Sequence, residues 1–125
     1  MRSVFGICLL LWISCSFYTQ SNSYSFRIRN GTGDTLRVVY EIQSITDSLG
    51  VVNPNSSFYF PGYSSRPAEQ HALTEDEFSQ YIRRVSIYKG DSVMHEEIPG
   101  NMVNWVRDYD YDMGNHSYSY FLAID

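Results

Sequence analysis

Apolar residues along this chain alternate with polar ones far more often than they recur every three or four positions, which is the pattern of half-buried strands. In "YSFRIR", Tyr24, Phe26 and Ile28 fall on one face and Ser25, Arg27 and Arg29 on the other. After "NGTGD", a run rich in residues that tolerate positive φ, "TLRVVYEIQ" sends Leu36, Val38, Tyr40 and Ile42 inward and Arg37, Val39 and Glu41 outward. The two segments are predicted to form an N-terminal hairpin. The closing "SYSYFLAID" puts Tyr118, Tyr120, Leu122 and Ile124 on one face and predicts a final strand.

Between these ends the pattern is broken more often. Ser44 to Gly50 shows no period and reads as a connection, and Phe58 to Phe60 reads as a strand ending at the Pro61-Gly62 turn. Ser64 to His71 reads as loop. One helix start is well marked: Thr74 as N-cap, Glu77 three positions on, and Leu73 placed to staple onto Phe78. From Arg84 the alternation of Val85 and Ile87 ends that helix after about two turns. "KGD" at Lys89 to Asp91 then predicts a hairpin turn, and Pro99-Gly100 ends the strand that follows it. About seven strands and one short helix predict an all-β, single-domain antiparallel β-sandwich, immunoglobulin-like in general architecture.

The first residues depart from this pattern altogether. Arg2 precedes an uninterrupted apolar run from Val4 to Ile13, a signal-peptide layout. The run is shorter than the ~20 residues a membrane-spanning helix needs. Ile13 and Ser14 before Cys15 resemble a bacterial lipobox, with Trp12 where Leu is usual. Cleavage by an ordinary signal peptidase after Ser16 is the alternative, since Ser14 and Ser16 satisfy its small-x-small rule. The expected organisation is a lipoprotein signal peptide at residues 1–14, a short tether at 15–22 and the β-sandwich domain at 23–125. Cysteine use agrees with export and acylation: Cys8 lies in the leader, so Cys15 is the one thiol left to the mature chain, where acylation needs it. Acyl chains on Cys15 supply two or more anchoring signals, enough for stable attachment to a membrane.

Without the leader the chain has 111 residues and a formal charge of −6, since Arg2 leaves with it. A single Lys and this acidity disfavour nucleic acid as a partner. The leader, the opening "FRIRNGTGDTLRVVYEI", the mid-chain "IYKGD" and the terminal "YSYFLAID" together resemble the small exported lipoproteins of Bacteroidetes-type bacteria. The resemblance covers most of the mature chain. It implies an outer-membrane lipoprotein, facing the periplasm or displayed on the cell surface, and it transfers no catalytic residue.

Two clusters carry candidate chemistry. "RDYDYDMGNH" places Asp108, Asp110 and Asp112 at every second position. Counted from Asp108 as an EF-hand loop, Met113 stands where Gly is required and Ser119 where a bidentate Glu is required. A charged strand face, with Tyr109 and Tyr111 turned to the core, is therefore favoured over a calcium site. The second cluster is Phe58, Tyr59 and Phe60, three consecutive aromatics of which a strand must aim at least one away from a single core. An exposed Tyr59 can stack on a sugar or a protein partner, and a neighbouring loop that buries it is the plainer expectation. His71, His95 and His116 are scattered and fit no zinc motif, "GYSSR" stops short of a nucleophile elbow, and Gly31 and Gly33 lack the Lys and helix of a phosphate loop. The sequence predicts a non-catalytic, lipid-anchored cell-envelope protein with a binding or scaffolding module. The alternative is a soluble secreted protein that binds carbohydrate or mediates calcium-dependent adhesion.

Overall fold

The alternating segments fold as strands, and two four-stranded sheets enclose the side chains that the alternation sets aside for the interior. The computed structural model describes residues 21–43, 45–65 and 71–125. The expected leader and Cys15 lie outside the described residues. In chain order the elements are β1 (Ser21–Asn30), β2 (Leu36–Ile42), β3 (Ile45–Val52), β4 (Ser56–Ser65), α1 (Glu75–Tyr81), β5 (Ile82–Lys89), β6 (Ser92–Glu97), a 3-10 turn (Met102–Asn104), β7 (Val106–Asp112) and β8 (Asn115–Ile124). The first sheet runs β4-β1-β8-β7 and the second β3-β2-β5-β6. The protein is an all-β sandwich. Its pairings are antiparallel except at the centre of the first sheet, where β1 and β8 run parallel from Ser21↔Asn115 to Asn30↔Ile124.

The inward sets meet as predicted. Tyr24, Phe26 and Ile28 of β1 and Tyr118, Tyr120, Leu122 and Ile124 of β8 are buried against Leu36, Val38 and Ile42 of β2 and Val85 and Ile87 of β5. Ser21 and Asn22, expected in the tether, already belong to β1, with Asn22 fully buried.

The expected N-terminal hairpin does not form: β1 and β2 lie in different sheets. Both strands face one core, so their alternation is the same whether the chain folds back beside itself or crosses to the opposite layer. Asn30 makes the crossing. Its side-chain oxygen accepts from the Thr32 backbone N–H at 2.9 Å, and its amide donates to the carbonyls of Asp34 at 2.7 Å and Asn53 at 3.1 Å.

Ser44 to Gly50, read as a connection, contains most of β3, whose residues 45–52 pair with β2. As an edge strand, β3 buries only Gly50 and Val52, so it carries no period to read. The strand expected to stop at Pro61-Gly62 also continues to Ser65. Pro61 is tolerated because β4 is an edge strand with one side free of ladder bonds. Gly62 is required there because a Cβ would lie 2.4 Å from the Tyr24 carbonyl oxygen.

Local signals of helix and turn hold. The Thr74 hydroxyl accepts from the Glu77 N–H at 3.2 Å while the Glu77 carboxylate accepts from the Thr74 N–H at 3.0 Å, a complete capping box. Gly90, at φ 58°, turns β5 into β6. Met113 and Gly114, at φ 50° and 86°, form a two-residue turn between the paired Asp112 and Asn115.

Four core phenols, those of Tyr63, Tyr81, Tyr118 and Tyr120, are pushed above their ordinary value of 10.0, in each case first by burial. For Tyr63 the neighbouring Tyr24 and the Glu77 carboxylate add to the effect. The unfolded chain releases these protons first, so the stability they contribute is whole below pH ~10 and is lost as pH rises toward the folded values. Urea midpoints are expected to hold steady up to pH 9 and to fall steeply above pH ~10, with phenolate absorbance appearing together with unfolding. Full phenolate titration of the folded protein near pH ~10 would contradict the burial of these rings.

Candidate functional site

The outward positions of the first sheet form a surface whose chemistry changes along the strands. Strand pairing aligns Tyr59 of β4, Arg27 of β1, Phe121 of β8 and Val106 of β7 in one row. The guanidinium carbons of Arg27, in the same row, and Arg29, the next outward position of β1, lie 5.1 and 4.9 Å from the centre of the Phe121 ring. Arg27 also donates to the Tyr59 hydroxyl at 3.4 Å. Arginine packed on an aromatic face keeps its apolar stem and its ring contact out of water while its remaining N–H groups stay available.

Toward the start of β1 the rows become polar: Ser25 beside Ser119 and Asp108, then Ser23 beside Ser117 and Asp110, then Ser21 beside Asn115 and Asp112. The hydroxyls of Ser25 and Ser119 are 3.0 Å apart and those of Ser23 and Ser117 3.1 Å apart, while Ser21 donates to the Asn115 side-chain oxygen. The surface thus combines an aromatic and guanidinium band with three rows of hydroxyls, amide and carboxylates.

The sequence candidates divide on this scaffold. Phe60 is buried and Phe58 packs against the core, so neither is free to stack on a ligand, whereas Tyr59 is 64% exposed. Pleat alternation explains the split: Phe58 and Phe60 point between the sheets and Tyr59 away from them. Asp108, Asp110 and Asp112 are exposed and stand in file along β7, about 7 Å apart by strand geometry. Among the described residues no group of three or more His, Cys, Asp and Glu side chains is disposed to hold a metal ion. Tyr109 and Tyr111 do point opposite to the aspartates, yet they are 52% and 54% exposed, which corrects their expected burial. β7 is an edge strand whose own residues are all exposed, so the core closes on Tyr118 of the next strand instead.

Tyr59 and the aspartates, some fifty positions apart, come to one face because β1 and β8 lie between their strands. Arg27 and Phe121 were missed by sequence reasoning. The available signal was the pair Phe121-Leu122, two large apolar residues in succession on a strand, of which only one can face the core.

A second cluster invisible in the sequence surrounds Glu97, which is 5% exposed. Its carboxylate accepts from the Asn101 backbone N–H at 2.6 Å and the Trp105 indole N–H at 3.1 Å, and meets His95 Nε2 at 2.5 Å. The 3-10 turn and the buried Trp105 are thereby tied to β6. A small cleft of about 230 Å³ lies among Gln43, Tyr63, Glu77, Gln80 and Tyr81 at the end of the sandwich where β1 begins. His71 meets Glu77 beside it at 3.2 Å.

No family model matches the chain, and no curated protein matches it. Among solved structures, IP-1A from Alcaligenes faecalis is similar at 13% identity over 84% of this chain and 92% of that one, with a TM-score of 0.29, a likeness too distant to bear on function.

Proposed function

We propose that this chain is a non-catalytic, lipid-anchored protein of the bacterial cell envelope, and that the outward face of its first sheet binds an extended partner, foremost a glycan. The observation that carries the binding half is the exposed Tyr59 in one row with Arg27, which together with Arg29 covers the buried Phe121 ring, beside the Ser and Asp rows on the outward face of the first sheet. Sugars offer an apolar ring face and a belt of hydroxyls. Tyr59 supplies a ring to stack on the first, and Asp108, Asp110 and the serines supply acceptors and donors for the second. The anchoring half rests on the leader and on Cys15. Acyl chains on Cys15 would supply stable attachment by themselves.

A polysaccharide array probed with the purified domain tests the binding half. Tyr59→Ala removes an exposed ring, so the thermal midpoint is expected to stay within about 2 °C. Affinity for the retained glycan is expected to fall about three- to tenfold, the value of one aromatic contact. Equal retention of both proteins would remove Tyr59 from the site. Calcium-dependent adhesion, the second reading, predicts that chelation abolishes binding and that Asp110→Asn does the same; binding that persists in chelator rules it out.

A further inference from the structure

Resting on the lipid-anchor reading, we propose that the tip of the β7–β8 hairpin, with Tyr109, Tyr111 and Met113, is a membrane-contact surface that seats in the headgroup region of a phospholipid bilayer. The first argument is position. β1 begins beside this tip, where the Ser21 N–H donates to the Gly114 carbonyl at 3.2 Å. Cys15 precedes Ser21 by six positions, so an acylated Cys15 holds Ser21 within roughly 20 Å of the lipid even when that stretch is fully extended. The opposite end of the sandwich lies a whole strand farther, about 30 Å away by strand rise.

The second argument is what the tip exposes. Met113 is 67% exposed, Tyr111 54% and Tyr109 52%. These side chains form an assembled patch: the Tyr111 and Tyr109 rings lie 4.8 and 5.9 Å from the His116 ring, and Tyr109 lies 5.0 Å from Tyr118. The Tyr109 hydroxyl is hydrogen-bonded to His116 Nδ1 at 2.6 Å, which fixes the ring. Tyrosine carries an apolar body and a polar tip, and it concentrates at bilayer interfaces for that reason.

The third argument is charge, which selects one tilt. Asp108, Asp110 and Asp112 occupy the other side of β7, and a carboxylate is poorly accommodated against lipid. The tyrosine side therefore turns to the bilayer and the aspartate side away from it. That tilt leaves the outward face of the first sheet open to a partner. The tip itself, from Asp108 to His116, holds no Lys or Arg, and Arg107 lines the hollow beside Tyr109 and Tyr118 a step farther from the turn, so the tip's first contact is with a zwitterionic surface.

The test uses the chain expressed from residue 1 in a bacterial host, extracted from membranes and reconstituted into phosphatidylcholine–phosphatidylethanolamine vesicles, with hydroxyl-radical labelling read residue by residue. Expected is a several-fold slowing at Tyr111 and Met113 relative to the detergent-solubilised chain released from its anchor by cleavage before Ser21. Met94, 44% exposed on β6, serves as the internal control and keeps its rate. The double variant Y111S/M113S, changed only at exposed positions, is expected to float with vesicles while Tyr109 regains the free labelling rate. A chain that floats with all three residues labelled at the free rate overturns the contact surface and leaves the anchor standing. A chain that does not float overturns both.

Discussion

Phe26→Ala is expected to lower the unfolding free energy by about 3–5 kcal/mol, toward the top of that range. Phe26 is fully buried at the centre of the first sheet. Its ring centre lies 4.8 Å from that of Tyr81, 5.5 Å from Tyr120 and 5.9 Å from Phe78. Loss of a buried aromatic is least damaging where the neighbours can fall into the space. Here two of them are held at their far ends: the Tyr120 hydroxyl accepts from the Leu73 N–H at 2.9 Å, and the Tyr81 hydroxyl donates to the Pro61 carbonyl at 2.5 Å. A cavity therefore persists. A domain of this size has about 5–15 kcal/mol in total, so the variant sits close to its unfolding threshold. Urea unfolding of the two proteins measures the difference, and a loss below ~2 kcal/mol would show that the ring does not hold the sheets together.

The second large effect is at Glu97. Glu97→Ala removes the acceptor for the Asn101 N–H and the Trp105 indole N–H, leaving the indole donor without a partner in a buried position and the Asn101 donor in a part-buried one. Each orphaned donor costs about 1–3 kcal/mol, so a total near 3–5 kcal/mol is expected. Glu97→Gln keeps one carbonyl oxygen for these donors and is expected to retain more than half of the lost stability, although its amide N–H₂ then faces His95. Trp105 reports the change directly. The chain has two tryptophans, Trp12 and Trp105, so emission from a domain expressed from Ser21 onward comes from Trp105 alone. A red shift in the native Glu97→Ala spectrum is expected; unchanged emission and stability would mean that the carboxylate is not the clamp.

Glu97 also shows where sequence reading runs out. "HEE" looks like any solvated strand face, because nothing in three polar residues says that two of them point between sheets. Only the pairing of His95 with Ile87 and Glu97 with Val85 turns them inward. By contrast, β1 and β8 were legible from alternation, since both strands are central and each burial decision is forced. The capping box at Thr74 and the turn at Gly90 were legible because their signals are local. β3 was not, as an edge strand with little to bury leaves no pattern. The layer crossing after Asn30 was hidden for a different reason: which sheet the next strand joins is decided by distant partners.

The candidate surface was half visible. Tyr59 and the three aspartates each stood out, but their placement on one sheet face depends on β1 and β8 inserting between their strands. Arg27 and Phe121, which complete the row, belong to segments that look like ordinary strand.

The lipid anchor and the membrane-facing tilt both depend on the chemistry at Cys15, and intact-mass analysis of the mature chain isolated from its native host measures that directly. The expected species begins at Cys15 and carries a thioether-linked diacylglyceryl group. A chain that begins at Phe17, or one that begins at Cys15 with an unmodified thiol, would contradict the lipid anchor and the membrane-facing tilt built on it.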